Sequence, residues 1–175
     1  MSIYSYKGIS PQIGEGVFIA DSADVIGKVH LKENSNLWFQ CVARGDVNKI
    51  TIGKNTNVQD LSMLHVTEKH PLVIGDQVSI GHSVTMHGCV VGDHCLIGMG
   101  AIILDGAIIG NNCVVAAGSV VPPGKIYPDG VMIMGNPAVV KRDLTDEEKR
   151  IYGNHYQNYV RYKNEYLDPT IVKIN

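Results

Sequence analysis

The sequence feature that most constrains the fold is a period of six. From Val91 onward, Val91, Ile97, Ile103, Ile109, Val115 and Val121 recur at every sixth position. Four places after each of the first five sits a small residue: Cys95, Ala101, Ala107, Cys113 and Ser119. Cys89 extends that row one step back. A helix repeats every 3.6 residues and a strand every two, so neither accounts for the pattern. A coil with three short flat sides does, and at one hexad per side it takes about 18 residues. Cys95 and Cys113 then stack on successive coils. The aliphatic residues fill a narrow prism, and the small ones fit where its wall turns. Composition agrees with this geometry. The chain of 175 residues has 40 Ile plus Val against 9 Leu, with two Phe and one Trp. Eight of its 19 glycines directly follow an Ile or Val and punctuate the coils.

This is the hexapeptide pattern of a parallel β-helix, an all-β solenoid in which each coil pairs with the next. The pattern from Pro11 to Pro137 predicts roughly seven coils, a prism on the order of 30 Å long. The solenoid domain is expected over residues 1–140 and a C-terminal α-helix packed on it over 141–175. Thr145-Asp146-Glu147-Glu148 reads as a capping box that starts this helix. Tyr152, Tyr156, Tyr159 and Tyr166 share one helical face, a stripe suited to packing on the prism or on a neighbouring subunit.

Several function classes drop out. A net charge of −2 without Lys/Arg clusters argues against nucleic acid as a partner. No run approaches the roughly 20 apolar residues that cross a bilayer, and no signal peptide is visible, so the expected location is cytoplasmic. The four cysteines form no CxxC motif, and Cys41, Cys89, Cys95 and Cys113 are expected to be packing residues.

Interruptions of a repeat are where function concentrates. Ile52 and Ile74 both lead hexads, but the step between them is longer than one coil by four, which places a four-residue insertion in the loop Thr67–Leu72. His65 and His87 are separated by the same lengthened step. They therefore stack on adjacent coils, and their imidazoles can converge on one metal ion. His82 lies a prism turn away from His87, so as a third ligand it must come from a neighbouring molecule. Three neutral histidines leave an open position for water, the pattern of catalytic zinc sites. His70, in the inserted loop, is a candidate to line the site, whereas His30, His94 and His155 read as surface or satisfied residues.

The ordered set Arg44-Gly45-Asp46, Asn57-Val58-Gln59-Asp60, His65, Gly81-His82 and His87-Gly88-Cys89 resembles the gamma-class carbonic anhydrases over nearly the whole chain. The resemblance implies a left-handed β-helix assembled as a homotrimer, with zinc (iron(II) or cobalt(II) as alternatives) held by His65 and His87 of one subunit and His82 of the next. It implies reversible hydration of carbon dioxide to bicarbonate. Gln59 would hydrogen-bond the solvent on the metal, Arg44 would pair across the interface with Asp60, and Asp46 would support that network. One departure bears on activity. The archetypal member exports protons through glutamates of an acidic loop, but here Val47 follows Asp46 and Glu68 is the only acid of the inserted loop. Weak hydration is the expectation, with His70 or Tyr159 as the candidate relay. The competing readings are an acyl-CoA thioesterase or metal hydrolase on the same site, a metal-free hexapeptide acyltransferase with a histidine base, and a metal-holding structural protein.

Overall fold

The computed structural model describes residues 2–171. The repeat builds a left-handed parallel β-helix of about seven turns. Its first face carries the short strands Met63–His65, Thr85–His87, Ile102–Ile103 and Val120–Val121. The second carries Leu72–Ile74, Val90–Val91, Ile108–Ile109 and Ile126–Tyr127. The third carries Phe18–Ile19, Asn36–Leu37, Asn57–Val58, Ser79–Ile80, Leu96–Ile97 and Val114–Val115. Two longer strands, Asp24–Leu31 and Val42–Ile52, bend from the first face onto the second. All of these pair in parallel, and the chain closes with an antiparallel hairpin, Val131–Gly135 against Ala138–Asp143.

The lead aliphatics form the prism core as the period requires. Ile74, Ile80, Val91, Ile97, Ile103, Ile109, Val115 and Val121 are all buried, stacked coil over coil. The four cysteines are free and buried beside them. Burial pushes the Cys41 thiol up to about 12 and raises Cys89 further, which keeps both protonated and unreactive. One corner is closed by a ladder of side chains. The backbone N–H groups of Lys54, Asp76, Asp93 and Asn111 donate to the Oδ1 atoms of Asp76, Asp93, Asn111 and Asp129, each at 2.8 Å. Each coil thus satisfies a donor of the one before it.

Coil length is not uniform, and its departures from three full hexads all fall near one corner. Val25 pairs with Ala43, one regular coil on, but Val29 pairs with Ile50, so three extra residues bulge out between Gly45 and Ile50. Ile52 pairs with Ile74, which confirms the four-residue insertion and places it between Met63–His65 and Leu72–Ile74. The two extra loops brace each other. Asn48 Nδ2 donates to the carbonyls of Thr67 at 2.9 Å and Glu68 at 3.0 Å. In the opposite sense, the step from Met86 to Val91 is one short of a hexad, and the tightened corner is turned by Gly88 at φ +51°.

The C-terminal segment starts with the expected capping box: Thr145 accepts from the Glu148 N–H, and Glu148 accepts from the Thr145 N–H. It is divided into α1 (Asp146–Gly153) and α2 (Tyr156–Tyr166), and Gly153 at the break packs on His94. The tyrosine stripe lies against the third face. Tyr159 and Tyr166 meet Trp38 edge-on with ring centroids 5.4 and 5.1 Å apart, and the Gln77 amide donates to the Tyr156 hydroxyl at 2.9 Å. Among the described residues no helix is long and apolar enough to cross a membrane.

Candidate metal centre

The lengthened coil does what the spacing predicts: His65 and His87 are direct partners on adjacent parallel strands. Their rings, centroids 5.0 Å apart, present His65 Nδ1 to His87 Nε2 at 2.9 Å. Two nitrogens on one tetrahedral ion, each bonded at 2.0–2.1 Å, stand about 3.3 Å apart. A few tenths of an ångström of side-chain rotation converts this pair into two ligands, so the residues fit a metal.

The outer nitrogens strengthen that fit. His65 Nε2 lies 3.0 Å from Asp46 Oδ1, and His87 Nδ1 lies 2.6 Å from Asp105 Oδ1. A carboxylate on the outer nitrogen holds the proton there and leaves the inner nitrogen as a lone-pair donor. Asp46 reaches His65 because of the three-residue bulge, and its other oxygen accepts from the Arg44 guanidinium. Burial raises the pKa of the Asp46 carboxyl, but the hydrogen bonds from His65 and Arg44 and the arginine charge outweigh it and hold that pKa below its usual value.

His82 occupies the other edge of the first face, at its corner with the third. Its Nδ1 pairs with Asp60 Oδ2 at 2.8 Å. Asp60 lies directly beneath it on the preceding coil, one lengthened step back, as His65 lies beneath His87. Gln59 shares this corner. It is buried, and its amide donates to Asn57 Oδ1 at 3.0 Å. Tyr159 closes the same corner from α2, beside Asp60 in a cleft with Trp38 and Tyr162. Burial, with the nearby Asp60 charge, pushes its hydroxyl up to about 12. The segment from His82 to His87 spans on the order of 15 Å of strand and turn. Among the described residues, no group of three or more His, Cys, Asp or Glu within the chain is arranged around a metal.

One chain therefore presents two candidate half-sites on opposite edges of the same face: Arg44, Asp46, His65, His87 and Asp105 on one, Gln59, Asp60, His82 and Tyr159 on the other. Within the chain Arg44 pairs with Asp46, and Asp60 pairs with His82. Sequence reading missed Asp105, although one regular coil added to His87 lands on it. It also missed Asn48.

Known proteins carry the same repeat and supply the family. Residues 88–123 match the family model Bacterial transferase hexapeptide (six repeats), and residues 71–104 match Hexapeptide repeat of succinyl-transferase. The chain is 47% identical over 158 residues to a carbonic anhydrase of Geobacillus kaustophilus, covering 90% of this chain and 87% of that one. It is 44% identical over 156 residues to the mitochondrial gamma carbonic anhydrase 1 of Arabidopsis thaliana, covering 86% of this chain and 57% of that one. The chain belongs to the gamma carbonic anhydrase family. Within this family setting it is also 48% identical over 170 residues to protein YrdA of Escherichia coli, covering 93% of this chain and 92% of that one. Among solved structures, a putative acetyltransferase from Bacillus cereus superposes with a TM-score of 0.92 at 42% identity, covering 94% and 96% of the two chains. The gamma carbonic anhydrase relatives support an enzyme of that kind.

Proposed function

We propose that this gamma carbonic anhydrase homologue assembles as a homotrimer. Each interface would hold a divalent ion, zinc in the first instance, between His65 and His87 of one copy and His82 of the next, and catalyse the reversible hydration of carbon dioxide. The observation that carries the reading is the 2.9 Å approach of His65 Nδ1 to His87 Nε2, with a carboxylate on each outer nitrogen. When bound, the ion supplies a Lewis acid that lowers the pKa of coordinated water toward 7.

The chain's own residues do the rest. Asp46, Asp105 and Asp60 each hold a proton on the outer nitrogen of one histidine. Gln59 offers a neutral amide that orients solvent or a developing oxyanion without neutralising it. Arg44, which lies on the His65 edge, is placed to meet an acid of the neighbouring His82 edge, Asp60 being the candidate. Tyr159 stands beside Asp60 at the His82 corner with its hydroxyl held protonated by burial, and remains the candidate relay on that edge. Glu68 lines a cleft of about 260 Å³ with Asp46 and Val47 and is the acid placed to take protons outward.

Trimer assembly is supported by the surface between the half-sites. Met63 and Ile102 point outward from the first face, and Leu61 and Met99 from its His82 corner, the last two more than half exposed. An apolar row in that position suits burial against a second copy. A metal-free acyltransferase is the competing reading, favoured by the His87–Asp105 pair at 2.6 Å, which has the form of a general base and its orienting acid. The discriminating experiment loads the protein with zinc and with anaerobic iron(II), then compares carbon dioxide hydration with acyl-CoA hydrolysis and acyl transfer. Hydration that depends on metal and is lost in His82→Ala is the expected result. Acyl transfer that survives chelation, without hydration, overturns it.

A further inference from the structure

Behind His87 the fold has built a second layer that the hydration chemistry does not use directly. Asp105 sits one coil beyond His87 and contacts its Nδ1 at 2.6 Å. Three features of the surrounding backbone crowd the space beside that carboxylate. The corner at Gly88 is one residue short, and a Cβ there would lie 2.9 Å from Asp105 Oδ1 and 2.9 Å from both the Cβ and the carbonyl oxygen of His70. The corner at Gly106 (φ +69°) passes under the His70 ring, where a Cβ would lie 3.1 Å from Cε1. The inserted loop is itself fixed by Thr67, whose N–H donates to the His70 carbonyl at 3.2 Å and whose hydroxyl accepts from the His70 N–H at 3.0 Å. His70 therefore packs over the two glycine corners that flank Asp105. The four-residue insertion delivers it there.

We propose that Asp105 is a positioning residue of the metal centre. It fixes the His87 imidazole with its proton on Nδ1 and its Nε2 turned toward His65, and the inserted loop, through His70, holds Asp105 in place. This rests on the reading of His65 and His87 as metal ligands. Asp105 touches neither substrate nor metal; it acts through His87, as Asp46 acts through His65. The two edges of the ligand pair are supported by different devices, the bulge after Gly45 for Asp46 and the inserted loop for Asp105. That division accounts for the two lengthened coils that carry the bulge after Gly45 and the loop Thr67–Leu72.

The test is metal affinity, measured on the full-length assembled protein by competing zinc against a chromophoric chelator. The series is wild type, Asp105→Asn, Asp105→Ala and Asp105→Glu, with thermal stability and sedimentation recorded for each. Loss of an outer-shell partner weakens metal binding about 10- to 100-fold. The expected order of affinity is wild type, then Glu, then Asn, then Ala, with folding and assembly unchanged. The visible spectrum of the cobalt(II)-loaded protein supplies a second readout: Asp105→Ala should shift its bands and Asp105→Glu should restore them, which a merely structural role would not produce. Wild-type zinc affinity and an unshifted cobalt spectrum in Asp105→Ala, while His87→Ala loses the metal, overturn the role of Asp105 and leave the metal site standing. A wild-type protein that binds no zinc overturns the metal reading itself and this proposal with it.

Discussion

The tight corner at Gly88 makes a prediction that separates two physical effects. Gly88 (φ +51°) and Gly118 (φ +67°) both occupy left-handed backbone, but a Cβ on Gly118 meets nothing within 4 Å. Gly118→Ala therefore carries the conformational penalty alone, about 1–2 kcal/mol. Gly88→Ala adds three contacts at 2.9 Å, and two of the atoms met are a Cβ and a backbone carbonyl oxygen that cannot swing aside. Overpacking of that kind adds about 1–3 kcal/mol, giving a total of about 2–5 kcal/mol when combined with the backbone strain. For a chain of this size each kcal/mol moves the midpoint by roughly 2–4 °C. Thermal unfolding at matched protein concentration should place Gly88→Ala roughly 2–12 °C below Gly118→Ala. Zinc affinity should fall in Gly88→Ala alone, because the Cβ displaces Asp105 and His70 together. Equal midpoints and equal zinc affinities for the two variants would refute the argument that loop, corner and Asp105 form one packed unit.

Three further outcomes follow from the same structure. Ile97→Ala removes a fully buried side chain stacked between Ile80 and Val115, where hydrogen-bonded coils of fixed spacing cannot collapse; a loss of about 3–5 kcal/mol in denaturant unfolding is expected. Asn48→Ala deletes two hydrogen bonds to carbonyls of the inserted loop, and faster amide exchange across residues 67–72 should result, with about 1–3 kcal/mol lost locally. The Glu148 carboxyl, held by Arg142 and the Thr145 N–H, is lowered from 4.5 to about 2. Its support of the α1 N-terminus is thus fully present above pH 4.5 and is lost as pH falls toward 2. Amide protection at Glu148 should decline over that window, and in Glu148→Gln the decline should disappear.

Much of the fold was legible because one number, the coil length, recurs in the chain. The Val91–Val121 hexads and the stacked Cys95 and Cys113 are in the structure as the period required. The same ruler, lengthened by four, placed His65 beneath His87. What stayed hidden were changes in the ruler itself. The coil that carries the bulge escaped notice because Leu31 and Ile52 both look like ordinary hexad leads, and nothing in Gly45–Lys49 marks an insertion. The shortened step to Val91 is concealed because Gly88 resembles any other corner glycine. The site was legible where residues stack and not where side chains choose partners. Asp60 lies one lengthened coil before His82, so the ruler already paired them, yet family resemblance directed Asp60 to Arg44 across an interface. Both contacts can coexist, since a carboxylate has two oxygens and His82 occupies one of them. Asp105, one regular coil past His87, was within reach of the same arithmetic.

The central claim is that each metal site is divided between two copies of the chain, and subunit complementation tests it most directly. His82→Ala lacks one half-site, and a His65→Ala/His87→Ala double variant lacks the other. Each is prepared alone, and the two are then unfolded, mixed in equal amounts and refolded together before zinc is measured in the assembled protein. Neither variant alone should hold zinc, whereas random mixed trimers restore an intact pair of half-sites at about one interface in four. Recovery of zinc to about a quarter of the wild-type content is the predicted result. Zinc retained by His82→Ala alone, or absent from mixed trimers that assemble normally, would contradict the shared site.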